Sequence, residues 1–322
     1  MSGAVSAGIT IDGQHVHASG ESFDLSNTGK VLFPDDGITK GELVEFYAQV
    51  AGVMLPYLKD RPIAMARYPD GITKQRIFQK NPGKYFPDWI TSVEVKKEGG
   101  TLRHVVCDKS ATLLYLANQA VIEFHVFLSR VDSLTVADQV VWDFDPPGND
   151  GFDAARQCAL WLRELVEDEL GLTAYVKTTG GKGLHVHVPL NRKQGFDDTR
   201  TFAREAAQVL AARHPDVVTV EQRIQARGHR VYADVMRDAY AQTVVAPYTV
   251  RARPGAHVAT PLHWSEAEDP ELSPGLFTMR TVPERLASTD DPWAGMSRRR
   301  YDVDAARERL ARIAQAGPSA GH

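Results

Sequence analysis

The sequence predicts an α/β protein with mixed sheet pairing. Three observations carry this. Short alternating segments meet at turns such as Pro69-Asp70-Gly71 and Gly99-Gly100, as in hairpins. Other strand-like segments are separated by amphipathic helices of crossover length, over 152–170 and 199–214. An apolar share of 43% against a charged share of 24%, in 322 residues, is that of a globular chain. Such a length can bury roughly 75% of the surface that the unfolded chain exposes.

The elements follow in order. Residues 1–20 are rich in Gly, Ser and Ala, with weak alternation at Ile9, Ile11 and Val16, so they read as at best an edge strand or a loose arm. Leu25 to Phe33 leads into the turn Pro34-Asp35-Asp36-Gly37. Thr39-Lys40-Gly41-Glu42 is a capping box, and Leu43, Phe46, Tyr47, Val50, Met54 and Leu55 continue at helical spacing towards Pro56. Short strands are expected at 62–66 and 77–78, and a hairpin at 93–97 and 102–106. A helix is expected at 110–119, then a strand at 122–128 with Glu123, His125 and Phe127 on one face. Residues 140–145 form a strand stopped by Pro146-Pro147, and the helix 152–170 closes at Gly171. Strands 174–178 and 184–189 flank the loop Thr179-Gly180-Gly181-Lys182-Gly183. After the helix 199–214, strands are expected at 230–236 and 243–250, and a short helix at 304–315.

Several classes are excluded. No apolar run approaches the ~18 residues of a membrane span, and Met1 to Gly20 lacks the order of a signal peptide. Two cysteines, Cys107 and Cys158, make neither a disulfide scaffold nor a cysteine zinc site, and they fit a reducing cytoplasm. Net charge is -4, so any nucleic-acid contact must rest on local clusters. One exists: Arg223, Arg227, Arg230, Arg237, Arg251 and Arg253, interleaved with acids that could equally make a mixed-charge solvated face.

Three segments could carry chemistry. Asp143 and Asp145 alternate on a strand that is otherwise apolar, so both carboxylates share a face. Such a pair resists ionisation unless a cation sits between, and its oxygens suit Mg2+ or Mn2+. The plainer alternative is a solvated strand end. Pro146-Pro147 argues against dehalogenase-type phosphatase chemistry, which wants a small residue and then Thr or Val there. The loop 179–183 offers backbone N–H groups and Lys182 to phosphate, or is simply a tight turn before two exposed histidines, His185 and His187. It is not a Walker A loop, because Val176 and Gly183 stand where Gly and Ser or Thr are needed. In the third segment Arg230, Tyr232 and Asp234 share a face, and Asp234 could complete a carboxylate triad or pair with an arginine. Together they suggest a two-metal nucleotidyl-transfer site.

These segments resemble the three motifs of the archaeo-eukaryotic primase superfamily: Val141-Trp142-Asp143-Phe144-Asp145-Pro146, Thr179 to His185, and Val231-Tyr232-Ala233-Asp234. More narrowly, they resemble the polymerase domain of bacterial ATP-dependent DNA ligase D. Leu25 to Pro34, Thr39-Lys40, Ile77 to Lys80, Glu123 to Val126 and Ala246 to Arg253 extend the likeness over roughly 22–290.

The resemblance implies a primase-polymerase fold: two small mixed or antiparallel sheets flanking the active site, an RRM-like C-terminal half, and helices packed outside. It implies a flexible arm at 1–21, a polymerase domain at 22–295 (an N-terminal module 22–135 and a catalytic module 136–295), and a helix with a frayed tail at 296–322. Asp143, Asp145 and Asp234 match metal ligands for two Mn2+ or Mg2+ ions. His125, Thr179, Lys182, His185, Arg227, Arg251 and Arg253 match nucleotide contacts. Asn27, Lys30 and Lys40 match a DNA 5′-phosphate pocket, Phe78 a template-stacking aromatic and Lys80 a neighbouring contact. Thr179 replaces the usual Ser and keeps the hydroxyl, whereas Ile77 replaces an aromatic of some members and weakens stacking.

The expected reaction is template-directed addition of nucleotides, ribonucleotides preferred, to DNA 3′ ends at gaps and breaks. Expected partners are 5′-phosphorylated DNA, nucleoside triphosphates, a DNA ligase and bacterial Ku, around a cytoplasmic, nucleoid-associated monomer with no membrane. The chain stops at His322 with no ligase or nuclease segment, as either a stand-alone polymerase or an excised one would. The competing readings are a metal-dependent phosphoesterase or sugar-nucleotide transferase using the Asp143/Asp145 pair, and a non-catalytic nucleic-acid binder.

Overall fold

The computed structural model describes residues 8–148 and 150–316; residues 1–7 of the expected arm and 317–322 of the expected tail lie outside them. Two compact units divide the chain. The first takes the chain up to Asp132 with 243–260 and 275–291; the second takes 133–242, 261–274 and the chain from Pro292 on.

In the first unit an antiparallel sheet runs in the order Thr243–Val245, Val121–Phe127, Pro62–Arg67, Gly100–Val106, Ser92–Lys97, with Ile77–Gln79 also paired to Pro62–Arg67. The capping box forms as expected: Thr39 accepts from the Glu42 N–H while Glu42 accepts from the Thr39 N–H, and the helix Lys40–Leu58 follows. Its stripe Leu43, Phe46, Tyr47, Val50 and Met54 is buried. Tyr47 ties it to the sheet, donating to the Ile122 carbonyl at 2.6 Å and accepting from the Val250 N–H at 3.1 Å. The helix Ser110–Asn118 is buried on every side, which is why its pattern shows no polar face.

Where the sequence suggests at best an edge strand, Ile9–Asp12, His15–Ala18 and Glu21–Asp24 make a three-stranded antiparallel sheet. Left-handed glycines at its turns, Gly13 at φ 59° and Gly20 at φ 81°, permit the tight returns. Only Ile9, Val16 and Ala18 of these strands are buried, too few to show a strong alternation. The sheet is held to the helix Ser110–Asn118 by Ser19 on Ser110 at 2.7 Å and by Asn118 on the Asp24 carbonyl at 3.1 Å. The strand expected over 243–250 is two strands, Thr243–Val245 and Thr249–Val250. Pro247, which has no N–H to give a ladder, and Tyr248 at φ 62° separate them.

The second unit follows the order βαββαβ. Gln139–Asp145 leads to the helix Phe152–Glu164, then Tyr175–Thr178 and Leu184–Pro189, the helix Phe196–Arg213 and Val231–Asp234. In space these strands run Val231–Asp234, Gln139–Asp145, Leu184–Pro189, Tyr175–Thr178, all antiparallel. That is the 4-1-3-2 order of an RRM-like sheet, extended by Val218–Thr219 on one edge and Pro261–Leu262 on the other. Val140, Trp142 and Phe144 fill the apolar face, and Trp142 donates its indole N–H to the Ala203 carbonyl, fixing helix to strand at 2.8 Å. The helix expected over 152–170 changes to a π turn at Leu165–Glu169 before Gly171 closes it at φ 69°. The fold is the expected mixed α/β type, with small, mostly antiparallel sheets and helices.

Candidate active site

The polar face of the second sheet carries the chemistry. Its register is Lys177 opposite His185, His185 opposite Asp143, and Asp143 opposite Asp234. Directly opposed residues project on the same side, so one row crosses four strands. Asp145, two residues beyond Asp143, lies on that side as well. The register therefore gathers Asp143, Asp145 and Asp234 on one face from two segments of sequence.

Cations along the row favour Asp143 over Asp234. His185 Nε2 lies 3.3 Å from Asp143. Burial pushes the Asp143 carboxyl up, but His185 beside it, helped by Lys177 and Arg237, holds it below the ordinary carboxylate value. Asp234 moves the other way. Burial raises it and so does the charge of Asp143, while the Met236 N–H donated to it at 2.7 Å only partly offsets this. Asp234 is thus the carboxylate that most lacks a cation. Asp145 is half exposed, with Lys182 at 3.3 Å and Arg227 at 3.6 Å. Arg227 also packs its guanidinium 3.8 Å from the Tyr232 ring centroid, and its Nε and Nη2 donate to the Glu221 and Gln222 carbonyls. Burial and the Asp234 charge push the Tyr232 hydroxyl up to about 12, so it stays neutral and donates towards Asp234.

The glycine loop is closed by Thr179. Its N–H and hydroxyl both donate to the Gly183 carbonyl, at 3.0 and 3.1 Å, and the hydroxyl accepts from the Gly181 N–H at 3.1 Å. Gly180 takes a left-handed φ of 63°. Gly183 has no room for a side chain, since a Cβ there would lie 2.2 Å from the Phe144 carbonyl oxygen. Lys182 donates to the Pro146 carbonyl at 2.6 Å, so its ammonium sits beside the carboxylate strand.

The two histidines are buried, not exposed as in the plain turn reading: His185 at 4% and His187 at 1%. His187 is part of the packing, against Gln139 at 2.9 Å and edge-on to Trp293 at 4.7 Å. Lys177 was missed by the sequence reading. A lysine in a short strand reads as solvent-facing, yet it is fully buried. The signal was its position two residues before the loop, on the face that His185 shares.

The first unit holds the remaining candidates. Asn27, Lys30 and Lys40 are brought together: the Lys30 N–H donates to the Asn27 carbonyl at 3.0 Å and the Lys40 N–H to the Lys30 carbonyl at 2.8 Å. Burial, then the charge of Lys30, lowers the Lys40 pKa. Lys30 pairs with Asp70 at 2.7 Å, in solvent. His125 lies edge-on to Phe78 at 5.7 Å, Arg76 covers Phe78 at 5.5 Å, and Ile77 and Phe78 are both exposed. Arg251 meets Glu123, Arg253 is exposed two residues on, and Lys80 closes a backbone bond from Val105.

No group of three or more His, Cys, Asp and Glu side chains among the described residues is arranged to hold a metal ion. The donor set still fits one. Three carboxylates on one face are all-oxygen ligands, and the charge of Asp143 adds to burial in raising Asp234, which Arg237 only partly offsets.

Residues 39–293 match the family described as LigD, primase-polymerase domain. The chain belongs to it. A LigD primase-polymerase domain thus covers most of the sequence. It is 34% identical over 279 residues to the bifunctional non-homologous end joining protein LigD of Bacillus subtilis, covering 86% of this chain and 44% of that protein. It is 31% identical over 291 residues to the multifunctional LigD of Pseudomonas aeruginosa, covering 88% of this chain and 34% of that one. The chain therefore spans less than half the length of these curated relatives. Among solved structures, the polymerase domain of Mycobacterium tuberculosis ligase D in complex with DNA aligns with a TM-score of 0.81 at 29% identity, covering 87% of this chain and 99% of that one.

Proposed function

We propose that this chain transfers nucleotides to DNA 3′ ends at gaps and breaks in non-homologous end joining. The observation that carries the reading is the row of carboxylates beside the closed glycine loop, with Lys182 and Arg227 held on Asp145. Membership of the LigD primase-polymerase family and the likeness to a DNA-bound polymerase domain support it.

Asp143, Asp145 and Asp234 would hold two Mn2+ or Mg2+ ions, which when bound polarise phosphate oxygens and make a hydroxyl a better nucleophile. The chain's own groups do the rest. Lys182 and Arg227 neutralise Asp145 until a triphosphate offers them other anions, and then take its oxygens. The loop N–H groups and His185 complete the phosphate cradle. His125, Thr179, Arg251 and Arg253 hold the remainder of the nucleotide. The primer 3′-hydroxyl then gives up its proton to solvent and attacks the α-phosphorus; a P–O bond forms, and pyrophosphate leaves with the electron pair of the bond that breaks. In the first unit Asn27, Lys30 and Lys40 receive the 5′-phosphate of the downstream strand, the two lysines supplying the countercharge at the start of a long helix. Phe78 stacks on the template and Lys80 contacts DNA nearby. The polymerase domain runs over 22–295 and acts as a cytoplasmic monomer on the nucleoid, in company with a DNA ligase and Ku.

Primer extension on a gap with a 5′-phosphate tests this, with Mn2+ and Mg2+ compared. Asp145→Ala should abolish extension and leave the fold intact, because two carboxylates supply too few oxygens for two ions. Extension above a few per cent of the wild-type rate would remove the triad assignment. Hydrolysis of nucleotide without DNA would instead indicate a phosphoesterase.

A further inference from the structure

The three-stranded sheet of the first unit has two unlike faces. Its register sets Ile9 opposite Ala18, Ile11 opposite Val16 and Val16 opposite Phe23, which makes one face apolar. The alternate residues make the other. There Thr10, His17 and Ser22 stand in one row, and Asp12, His15 and Asp24 in the next. All six are exposed. His15 and His17 lie two residues apart on the middle strand, with their rings edge to face and centroids 4.6 Å apart. His15 Nδ1 is 2.6 Å from the Asp24 carboxylate, and His17 Nδ1 is 2.6 Å from the Ser22 hydroxyl. Both rings thus turn Nδ1 to the strand Glu21–Asp24. Nε2, across each ring, faces away from that strand.

We propose that His15 and His17 chelate a late first-row divalent cation of the Zn2+ type through their two Nε2 atoms. With two protein ligands, water fills the remaining positions. The proposed nucleotidyl transfer does not call on this cation.

The hydrogen bonds set the donors. A carboxylate has lone pairs and no proton, so the neutral His15 ring gives Asp24 its one N–H from Nδ1 and keeps a lone pair at Nε2. A hydroxyl can accept as well as donate. When Ser22 accepts from His17 Nδ1, the same lone pair stands at the second Nε2. A carboxylate on the far nitrogen is also what orients metal-bound histidines and raises the basicity of the ligating atom. Imidazole nitrogen suits Zn2+, Cu2+ and Ni2+, whereas Mg2+ and Mn2+ prefer oxygen. The pair therefore takes a different cation from those proposed for the carboxylate row. Asp12 and Asp24, one on each side of His15, offset the added charge.

Such a cation would brace the sheet. Of its strand residues only Ile9, Val16 and Ala18 are buried, so little apolar contact holds the three strands. Through Asp24 and Ser22 the chelate also bears on the neighbouring strand. A ligand that binds only the closed form opposes opening by a factor of one plus its concentration over Kd.

The test is a titration of the full chain with Zn2+, read by nitrogen spectra of histidine rings assigned through their own backbone. His15 and His17 should shift at one common midpoint, with Nε2 the nitrogen displaced, and excess Mg2+ should shift neither. His15→Asn should abolish the shift of His17 at that midpoint. Asp24→Asn should weaken Zn2+ by about tenfold to a hundredfold. Asp145→Ala, in the carboxylate row, should leave the titration unchanged. At free Zn2+ ten times Kd, the amides of His15–Ala18 should exchange hydrogen about tenfold more slowly. Separate midpoints for the two rings, displacement at Nδ1, or no shift in excess Zn2+ would each overturn the chelate, and these readings need no variant to fold. Exchange unaffected by bound Zn2+ would overturn the bracing role. Failure of primer extension would leave every one of these outcomes as it stands.

Discussion

Asp238 is fully buried, accepts the Val141 N–H at 3.0 Å through one oxygen, and has no partner for the other among the described residues. Burial is the first reason its pKa is raised well above the ordinary carboxylate value, and the nearby Asp234 charge adds to it. A carboxyl raised on folding favours the native state most when protonated. That contribution is complete below the unfolded value of about 4 and is lost as pH rises through the folded value. Asp238→Asn keeps the acceptor for Val141 and never ionises. It should be more stable than wild type at pH about 8, and the gap should close towards pH about 4. Thermal unfolding at the two pH values checks this; an equal difference at both would mean that ionisation is not the cause. At this scale the gathering of three carboxylates on one face was legible, because strand parity alone puts Asp143 with Asp145 and an alternating motif offers Asp234. Lys177 and Asp238 were not. A lysine on a strand and an acid among arginines both look like solvent residues until the register shows what covers them.

The glycine loop and the strand Gln139–Asp145 touch backbone to backbone at Gly183. A methyl group there meets the Phe144 carbonyl oxygen at 2.2 Å, and a backbone atom yields less readily than a side chain. Gly183→Ala should therefore cost about 1–3 kcal/mol of stability and abolish extension together. Lys182→Ala removes only a cation held on Pro146 and Asp145. It should lower extension with a stability change within about 0.5 kcal/mol. Comparing the two variants by thermal melts and primer extension separates loop shape from loop charge, and matching melts would refute the steric argument. Elements with strong local signals were readable, such as the helix Lys40–Leu58 with its capping box. The π turn at Leu165–Glu169 and the small sheet over Ile9–Asp24 were not, since neither has a composition of its own.

Across the whole molecule, net charge is -4, so any affinity for DNA must come from placed cations rather than an overall field. Lys30 and Lys40 are joined through backbone bonds at the start of a helix. Lys30→Ala with Lys40→Ala should weaken binding to a gap carrying a 5′-phosphate and flatten its salt dependence by a slope of about 1–2. Binding to the unphosphorylated gap should change little. Equal losses on both substrates, in titrations at several salt concentrations, would make the pair a non-specific contact. The βαββαβ order was legible because each element is consecutive in sequence. The return of 243–260 and 275–291 to the first unit was not, because nothing local marks which sheet an extended segment joins.

The closure of Thr179 on Gly183 also bears on motion. Two donors of one residue hold the loop shut without a ligand, so entry of the proposed nucleotide should bring little further loss of backbone freedom there. The Thr179 amide should then exchange its hydrogen slowly in the free protein, and added nucleotide should slow it little more; a large slowing on binding would contradict this. Releasing Lys182 from the Pro146 carbonyl needs only side-chain rotation, which is generally faster than rearranging a loop. A site built this way would admit the proposed nucleotide by moving side chains rather than by refolding its loop.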